Sequence, residues 1–257
     1  SPGPSVLPVA EGETRLGGVE RAEHRCVGLE NLFQGRGPAR DLVTRIELYR
    51  REVSNPLARY ENLYEPINTF PEVEPDRVRV APDSSVAEGI ELLLRGRLGQ
   101  RTGWWINYAL SSTEDVIAGE RFPRQFDQTH AVNLDLDLRL SPRWSVNLAW
   151  RYHTGWPTTP LTVERRTGDD GSVETVPVLG RRFSDRLPDY HRLDLRASRR
   201  WAWRSTRLRL FLDVQNVYDR ANLAGFDYEI DDETGTLIDN RESWPGFLPS
   251  LGVEIEF

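Results

Sequence analysis

The most regular hydrophobic pattern in the chain lies between residues 128 and 157. Every second residue from Val132 to Leu140 is aliphatic, and the residues between them are polar or charged. Side chains along a strand point alternately to the two faces, so the pattern predicts a strand with one apolar and one polar face. After Ser141-Pro142-Arg143 the alternation resumes and continues to His153. We therefore predict two long antiparallel strands joined by a tight turn.

The same alternation predicts seven further strands and two kinds of connection between strands. The further strands are residues 20–33, 42–53, 86–98, 104–110, 190–201, 208–214 and 244–257. The short turns lie at 35–39, 99–102, 141–143 and 202–205, and the long loops at 54–85, 114–128, 158–186 and 220–243. Turns and loops alternate strictly along the chain. Short turns on one rim and long loops on the other are typical of an outer-membrane barrel, whose long loops are extracellular.

These patterns predict an all-β fold, namely part of an antiparallel transmembrane β-barrel in a Gram-negative outer membrane. Asp135 and Asp137 are then expected on the water-filled inner face, because lipid covers the apolar face. Nine strands are an odd number, whereas closed bacterial barrels have an even one. The chain also has no methionine at its first position. We therefore expect about nine C-terminal strands of a larger barrel.

The composition excludes several other classes of protein. The hydrophobic content of 38% and the mean hydropathy of −0.55 are low, but only alternate residues of a barrel strand need to face lipid. No apolar run approaches the ~20 residues of a spanning helix. The net charge of −7 argues against a nucleic-acid partner, which favours a basic surface. Cys26 is the single cysteine, so no internal disulfide is expected.

Three segments carry a resemblance to a known family. Residues 150–157 read Trp-Arg-Tyr-His-Thr-Gly-Trp-Pro, residues 187–196 read Leu-Pro-Asp-Tyr-His-Arg-Leu-Asp-Leu-Arg, and residues 211–219 end in Asn-Val-Tyr-Asp. In this order they resemble the last strands of TonB-dependent outer-membrane receptors. The resemblance implies a 22-stranded barrel, of which residues 20–257 are the C-terminal portion and residues 1–19 a loop or extracellular segment. It also implies an N-terminal plug that receives energy through TonB, and this sequence has no counterpart of that plug.

The end of the chain resembles the strand that outer-membrane proteins present to the barrel-assembly machinery. Residues 251–257 alternate apolar and polar side chains and finish on an aromatic carboxyl terminus. The resemblance implies that Gly252, Ile255 and Phe257 belong to this assembly signal. Leu251 departs from the pattern, because a polar residue is usual at its position.

The function implied by the resemblance is active uptake of a scarce nutrient such as an iron–siderophore, cobalamin or a saccharide. Its partners would be outer-membrane lipid, TonB through the N-terminal part, and the small-molecule nutrient. No catalytic, cofactor or metal residue is expected. The candidate ligand contacts at the outward end are Tyr64, Phe126, His130, His153 and Trp156.

Several other interpretations of the residues stay open at this stage. An outer-membrane hydrolase would use rim groups among Ser111, Ser112, His130 and His153, and a passive porin-like channel would use the wall alone. His130 and His153 are also close enough along the hairpin for a metal site, and residues 231–233 are acidic enough for calcium. The tryptophans near strand ends predict an interfacial aromatic belt; they are Trp104, Trp105, Trp144, Trp156, Trp201 and Trp203.

Overall fold

A computed structural model of the chain describes residues 19–34, 39–64, 76–167, 173–231 and 234–257. The predicted loop at 1–19 therefore lies outside the described residues, apart from Val19. None of the described ranges forms a helix that is long and apolar enough to cross a membrane. The strands in these ranges are β1 Arg21–Phe33, β2 Ala39–Ser54, β3 Arg59–Asn62, β4 Arg77–Val80, β5 Ser84–Leu98, β6 Thr102–Ile117, β7 Glu120–Pro123, β8 His130–Arg139, β9 Trp144–His153, β10 Pro157–Thr158, β11 Leu161–Thr167, β12 Val173–Leu179, β13 Asp185–Arg186, β14 Tyr190–Trp203, β15 Thr206–Gln215, β16 Leu223–Ile230, β17 Leu237–Ser243 and β18 Leu248–Glu256.

Nine long strands form one antiparallel sheet in the order β1-β2-β5-β6-β8-β9-β14-β15-β18, and the short β7 pairs with β6. Each long strand pairs with the next long strand along the chain, so the sheet is a simple up-and-down wall. The nine predicted strands are confirmed, and so is the alternation of short turns with long loops, apart from the turn predicted at 35–39, most of which lies outside the described residues. An antiparallel all-β wall of this kind is the predicted fold class.

The register sorts the side chains onto two faces across the whole wall. One row across five strands is Leu94, Ile106, Leu134, Trp150 and Leu193. The neighbouring row, which points to the opposite face, is Arg95, Trp105, Asp135, Ala149 and Asp194. We call the first face the outer face and the second the inner face. No second sheet covers the outer face in the described residues, because each of the other sheets there is a two-stranded hairpin or bridge.

The most deeply buried apolar side chains lie among the long loops rather than in the wall. Those in or next to the loops are Leu63, Tyr64, Val80, Phe183 and Leu187, while only Val43 and Val214 lie in the wall. By contrast, Leu210 on the outer face is 37% exposed. The wall thus presents its apolar residues to lipid, and the long loops pack on one another above it.

All four predicted loops contain strands in the described residues. In the loop 114–128, the short β7 pairs with the end of β6. β3 pairs with β4 inside the predicted loop 54–85, and β16 pairs with β17 inside the predicted loop 220–243. The prediction of structureless loops was wrong there, because these strands are short and carry charges on both faces. The turn predicted at Asp169-Asp170-Gly171 falls outside the described residues, although β11 and β12 on either side of it do pair.

The predicted aromatic belt is confirmed only in part. Trp104, Trp144, Trp201 and Trp203 share the outer face near the short turns, as an interfacial belt requires. Trp105 instead pairs with Asp135 in the inner row, so its assignment to the belt was wrong. Side chains alternate along a strand, and two adjacent tryptophans therefore cannot share one face. Trp156 lies beyond the end of β9, in the loop region described below.

Candidate ligand-binding site at the outer opening

The motif around Gly155 fixes the beginning of the loop that follows β9. The Gly155 backbone N–H donates to Asp189 Oδ1 at 3.2 Å, and the Tyr152 hydroxyl donates to Asp189 Oδ2 at 2.8 Å. A Cβ atom at Gly155 would lie 1.5 Å from the Leu187 carbonyl oxygen. Only glycine fits, so the first two motifs dock against each other through backbone contact.

The third motif fixes the loop after β15 in a similar way. The Asn216 side chain is 1% exposed, and its amide donates to the carbonyl oxygens of Arg220 (2.9 Å) and Pro245 (3.4 Å). Its Oδ1 accepts the Arg220 N–H at 3.1 Å. Asp219 Oδ1 accepts the Phe247 N–H at 2.7 Å, which ties the loop to the start of β18. Both ends of this long loop are thereby held at the rim of the wall.

Arg186 joins two other loops at the same height. Its guanidinium lies 2.5 Å from Asp127 Oδ2 and also donates to the Asp127 and Gly155 carbonyl oxygens. Asp127 is 5% exposed, and its Oδ1 accepts the Thr113 N–H at 2.6 Å. The carboxylate of this ion pair is buried and the guanidinium is half-buried, and the further hydrogen bonds of both groups restrict their geometry. The ion pair places the segment containing Phe126 beside the loop containing Trp156.

An aromatic cluster forms where these loops meet at the outward end of the inner face. His153 stacks on Tyr190 at 4.7 Å between ring centroids and on Trp156 at 5.5 Å. Two further rings make T-shaped contacts with Trp156, Phe126 at 5.2 Å and Trp244 at 6.5 Å between ring centroids. We call these five residues the rim cluster. It brings together three of the five predicted ligand contacts, namely Phe126, His153 and Trp156.

The rim cluster carries polar atoms as well as ring faces. His153 Nδ1 lies 2.9 Å from the Thr154 carbonyl oxygen. A carbonyl oxygen only accepts, so Nδ1 carries a proton. Trp156 Nε1 is buried without a hydrogen-bond partner in the described residues. A buried indole N–H usually has an acceptor, and an acceptor group of a bound molecule would satisfy it.

An unpaired positive charge lies on the inner face below the cluster. Arg151 is two residues from His153 on the same strand face, about 7 Å along β9. Its register partner on β14 is Arg192, which pairs with Asp194 at 3.0 Å. Arg151 itself has no ion pair among the described residues. Like charges directly opposite each other are unfavourable, so this position favours an anionic group near Arg151.

A second buried network braces the loops on the other side of the opening. Asp115 is 0% exposed; it pairs with Arg59 and accepts the Ser85 hydroxyl at 2.6 Å. Glu61, 4% exposed, pairs with both Arg59 and Arg182. Burial lowers the pKa of Arg59, but hydrogen bonds and charge interactions with the two carboxylates outweigh it, so the pKa is raised overall. Arg59 thus links both buried carboxylates and joins their strands.

The other two predicted ligand contacts lie elsewhere. Tyr64 is buried under the loops, with its ring 4.9 Å from that of Tyr228 in an edge contact. Burial raises the pKa of Tyr228, and the Asp239 and Asp185 carboxylates act in the same direction, so the phenol stays a donor. His130 shares the outer face with Tyr108, whose hydroxyl lies 2.9 Å from His130 Nδ1. The structure thus does not place either residue in the rim cluster.

The groups considered for a hydrolase or a metal site are not brought together. His153 pairs with Ala131, so it faces the opposite side of the sheet from His130. The Ser111 hydroxyl donates to the Gln128 carbonyl oxygen at 2.8 Å, and His153 contacts Thr154, Trp156 and Tyr190 instead of a serine. Within the described ranges, no group of three or more potential ligands could hold a metal ion. The close approach predicted for the two histidines was wrong, because adjacent register positions lie on opposite faces.

Asp135 and Asp137 line the inner face, as predicted. The Asn147 amide donates to Asp135 at 3.1 Å and more weakly to Asp137 at 3.5 Å. Because the two carboxylates share one amide donor, we interpret Asp135 and Asp137 as part of a polar wall and not as a proton-transfer pair.

The predicted assembly residues occupy the last strand pair. Gly252 lies under the Phe211 ring, and Ile255 pairs with Leu208 on the outer face. Phe257 follows β18 and is 95% exposed. Their role in assembly stays a prediction.

Two members of the rim cluster, Tyr190 and Trp244, were not among the predicted contacts. Tyr190 was predictable in principle, because it is the register partner of His153 on the next long strand. Trp244 comes from a distant part of the chain, and only the folded loop after β15 brings it to Trp156.

Comparisons with known proteins give the same architecture. The ferripyoverdine receptor of Pseudomonas aeruginosa is similar at 14% identity and a TM-score of 0.50, over 92% of this chain and 27% of that one. The ferric citrate transporter FecA in its unliganded form is similar at 15% identity and a TM-score of 0.50, over 91% of this chain and 31% of that one. The chain spans less than a third of either structure, and at these identities the likeness supports the fold alone. A comparison with curated proteins finds no match.

A wall with alternating faces, sorted loops and an apolar exterior defines an outer-membrane β-barrel protein. Residues 20–217 match the family described as "TonB dependent receptor-like, beta-barrel". The chain belongs to this family, which confirms the resemblance drawn from the three motifs. The family is one of outer-membrane receptors for transport and not of enzymes.

Proposed function

We propose that this chain is the C-terminal barrel portion, residues 20–257, of an importer that takes up a scarce small molecule with energy from TonB. The observation that carries the proposal is the rim cluster. Three independently predicted contact residues converge there, on the inner face and at the long-loop end of a receptor barrel. Residues 1–19 would form a loop or extracellular segment, and an N-terminal plug would receive the energy.

The cluster suits a ligand with a flat or sugar-like face and at least one acceptor group. The rings of Phe126 and Trp244 would contact its apolar faces, since aromatic rings pack well edge to face. Trp156 Nε1 would donate to an acceptor, and Arg151 would attract an anionic group further down the wall. Iron–siderophores, cobalamin and saccharides all include members of this kind. A ferripyoverdine receptor and a ferric citrate transporter share the fold, so iron–siderophores are the first probes to test.

The experiment is whole-cell uptake by the full-length protein in a host without its own receptor, with radiolabelled iron–siderophores, cobalamin and oligosaccharides as probes. The double variant Phe126→Ala, Trp156→Ala should lower the apparent affinity about tenfold or more, because each lost ring contact contributes about 0.5–1.5 kcal/mol beyond buried area. Tyr60→Ala is the matched control, since Tyr60 is an exposed aromatic residue of the outer loops, outside the cluster.

The results separate this function from the two alternatives. Uptake that needs TonB and falls only in the cluster variant supports the proposal. Uptake that persists without TonB would indicate a passive channel. Substrate turnover that is lost in a His153→Ala variant would indicate a hydrolase, although the contacts of Ser111 and His153 disfavour it.

A further inference from the structure

An arginine lies between two tryptophans on the outer face, at the end of the wall that carries the short turns. The Arg199 guanidinium carbon is 5.2 Å from the ring centroid of Trp144 and 4.8 Å from that of Trp201. The register pairs Arg199 with Trp144, the first residue of β9. The arginine therefore lies at the height of a strand end, where a membrane surface is expected.

The side chain of Arg199 has no acceptor for its N–H groups. It makes no hydrogen bond or ion pair with any described residue, and its Nε is buried without a partner. A guanidinium carries five N–H donors, and stacking on the two rings satisfies none of them. An arginine on the lipid-facing side is unfavourable unless it reaches the polar headgroup layer. No described residue therefore supplies the acceptor.

The neighbouring turns make this end of the wall basic. The short turn after β5 contains Arg101, the turn after β8 contains Arg143, and the turn after β14 contains Arg204. None of these three turns contains an aspartate or glutamate. By contrast, the sequence of the loop at 220–243 has seven acidic residues and two arginines. The three turns thus carry only positive charge, which favours an anionic ligand at this end of the wall.

We propose that Arg199, held between Trp144 and Trp201, binds the phosphate of an anionic phospholipid in the leaflet at the short-turn end. The planar guanidinium fork matches phosphate oxygens in a bidentate geometry. Tryptophan rings favour the headgroup level of a bilayer, so they hold the guanidinium where lipid phosphates lie. Leu212, the register partner of Ala197 on β15, lies on the outer face one pair further from the short turn than Arg199, so it offers an apolar contact for the acyl chain below the phosphate. The site lies on the outer face and is separate from the rim cluster.

The experiment is native mass spectrometry of the full-length protein in a neutral detergent, with phosphatidylglycerol and phosphatidylcholine added in equal amounts. The unchanged protein should retain phosphatidylglycerol preferentially. Arg199→Gln should reduce that preference about three- to tenfold, because it removes charge-assisted hydrogen bonds. Arg199→Lys keeps the charge but loses the fork, so it should retain an intermediate preference.

Arg204→Gln is the matched control, since it removes one positive charge from an adjacent turn and leaves the Trp144–Trp201 pair intact. Heat-modifiable migration on gels verifies that each variant is folded, and Arg199→Lys carries the test if Arg199→Gln does not fold. The proposal is overturned if Arg199→Gln retains the preference, if Arg199→Lys binds as the unchanged protein does, or if Arg204→Gln loses as much. It is also overturned if excess inorganic phosphate displaces the lipid, which would indicate a site for free anions.

Discussion

The ring of Phe211 lies across Gly252 in the pair formed by β15 and β18. A Cβ atom at Gly252 would approach the Phe211 Cζ to 2.1 Å. On its other side the ring meets the Arg196 guanidinium, whose central carbon is 4.2 Å from the ring centroid. The glycine thus gives space for an aromatic–cation stack on the inner face of the last strand pair, which is the region predicted to signal assembly.

The first prediction concerns this pair. Gly252→Ala should reduce the folded fraction of the full-length protein, because the methyl group displaces the Phe211 ring, and such overpacking costs about 1–3 kcal/mol. The measurement is the urea midpoint of the heat-modifiable band. Gly103→Ala is the control, since a Cβ at Gly103 has no atom nearer than 3.8 Å. Equal midpoints for the two variants would contradict the packing role of Gly252.

The second prediction separates two roles of Asn216. Its φ is 51°, a left-handed conformation that alanine adopts unfavourably and glycine adopts freely. Asn216→Ala should cost about 2–4 kcal/mol through lost hydrogen bonds and backbone strain together. Asn216→Gly should cost less, because it removes only the amide contacts. Comparison of urea midpoints checks this order, and a glycine variant as unstable as the alanine variant would argue against strain.

The third prediction concerns the buried charges above the wall. Asp115→Asn removes a carboxylate that faces Arg59, with Arg182 and Arg124 each 3.8 Å away. Breaking a buried ion pair on one side costs about 3–5 kcal/mol, so the outer loops should open to protease at lower concentrations. Glu114→Gln is the control, because its pair with Arg121 is exposed and contributes about 0–1 kcal/mol. If the outer loops resist protease equally in both variants, Asp115 does not hold them together.

The fourth prediction concerns these 257 residues expressed alone. In the described residues β1 pairs only with β2, and β18 only with β15, so each strand has a free edge. Exposed sheet edges template pairing between chains. The product should give β-rich circular dichroism, oligomers in detergent and no heat-modifiable shift. A compact, heat-modifiable monomer would show that the wall closes on itself.

The wall was predictable because its physics is local. Successive side chains along a strand face lipid and water in turn, so Leu134 and Asp135 could be assigned to opposite faces from the sequence alone. The candidate binding site was less predictable from the sequence. Phe126, His153 and Trp156 were predictable as aromatic residues at the right height, but Trp244 reaches them only through the fold of its loop.

The wrong predictions arose where the alternation of side chains between the two faces was overlooked, or where a strand was too short for it to be noticed. His130 and His153 occupy neighbouring register positions but opposite faces, and Trp104 and Trp105 differ in the same way. The hairpins β3–β4 and β16–β17 pair outside the membrane, where neither face needs to be apolar. Any alternation in them is short, as in residues 226–230, and it was therefore missed.

The nearly unbroken register of the wall, with its one irregularity between Arg40 and Val43, has a consequence for how such a sequence can vary. Losing one residue within a strand such as β8 would turn Asp135 toward hydrocarbon and Leu134 toward solvent together with every residue beyond the gap. Adding a whole segment between β9 and β14 would leave every wall partner unchanged. Insertions and deletions should therefore be rare within the wall strands, whereas the long loops should tolerate the replacement of whole segments.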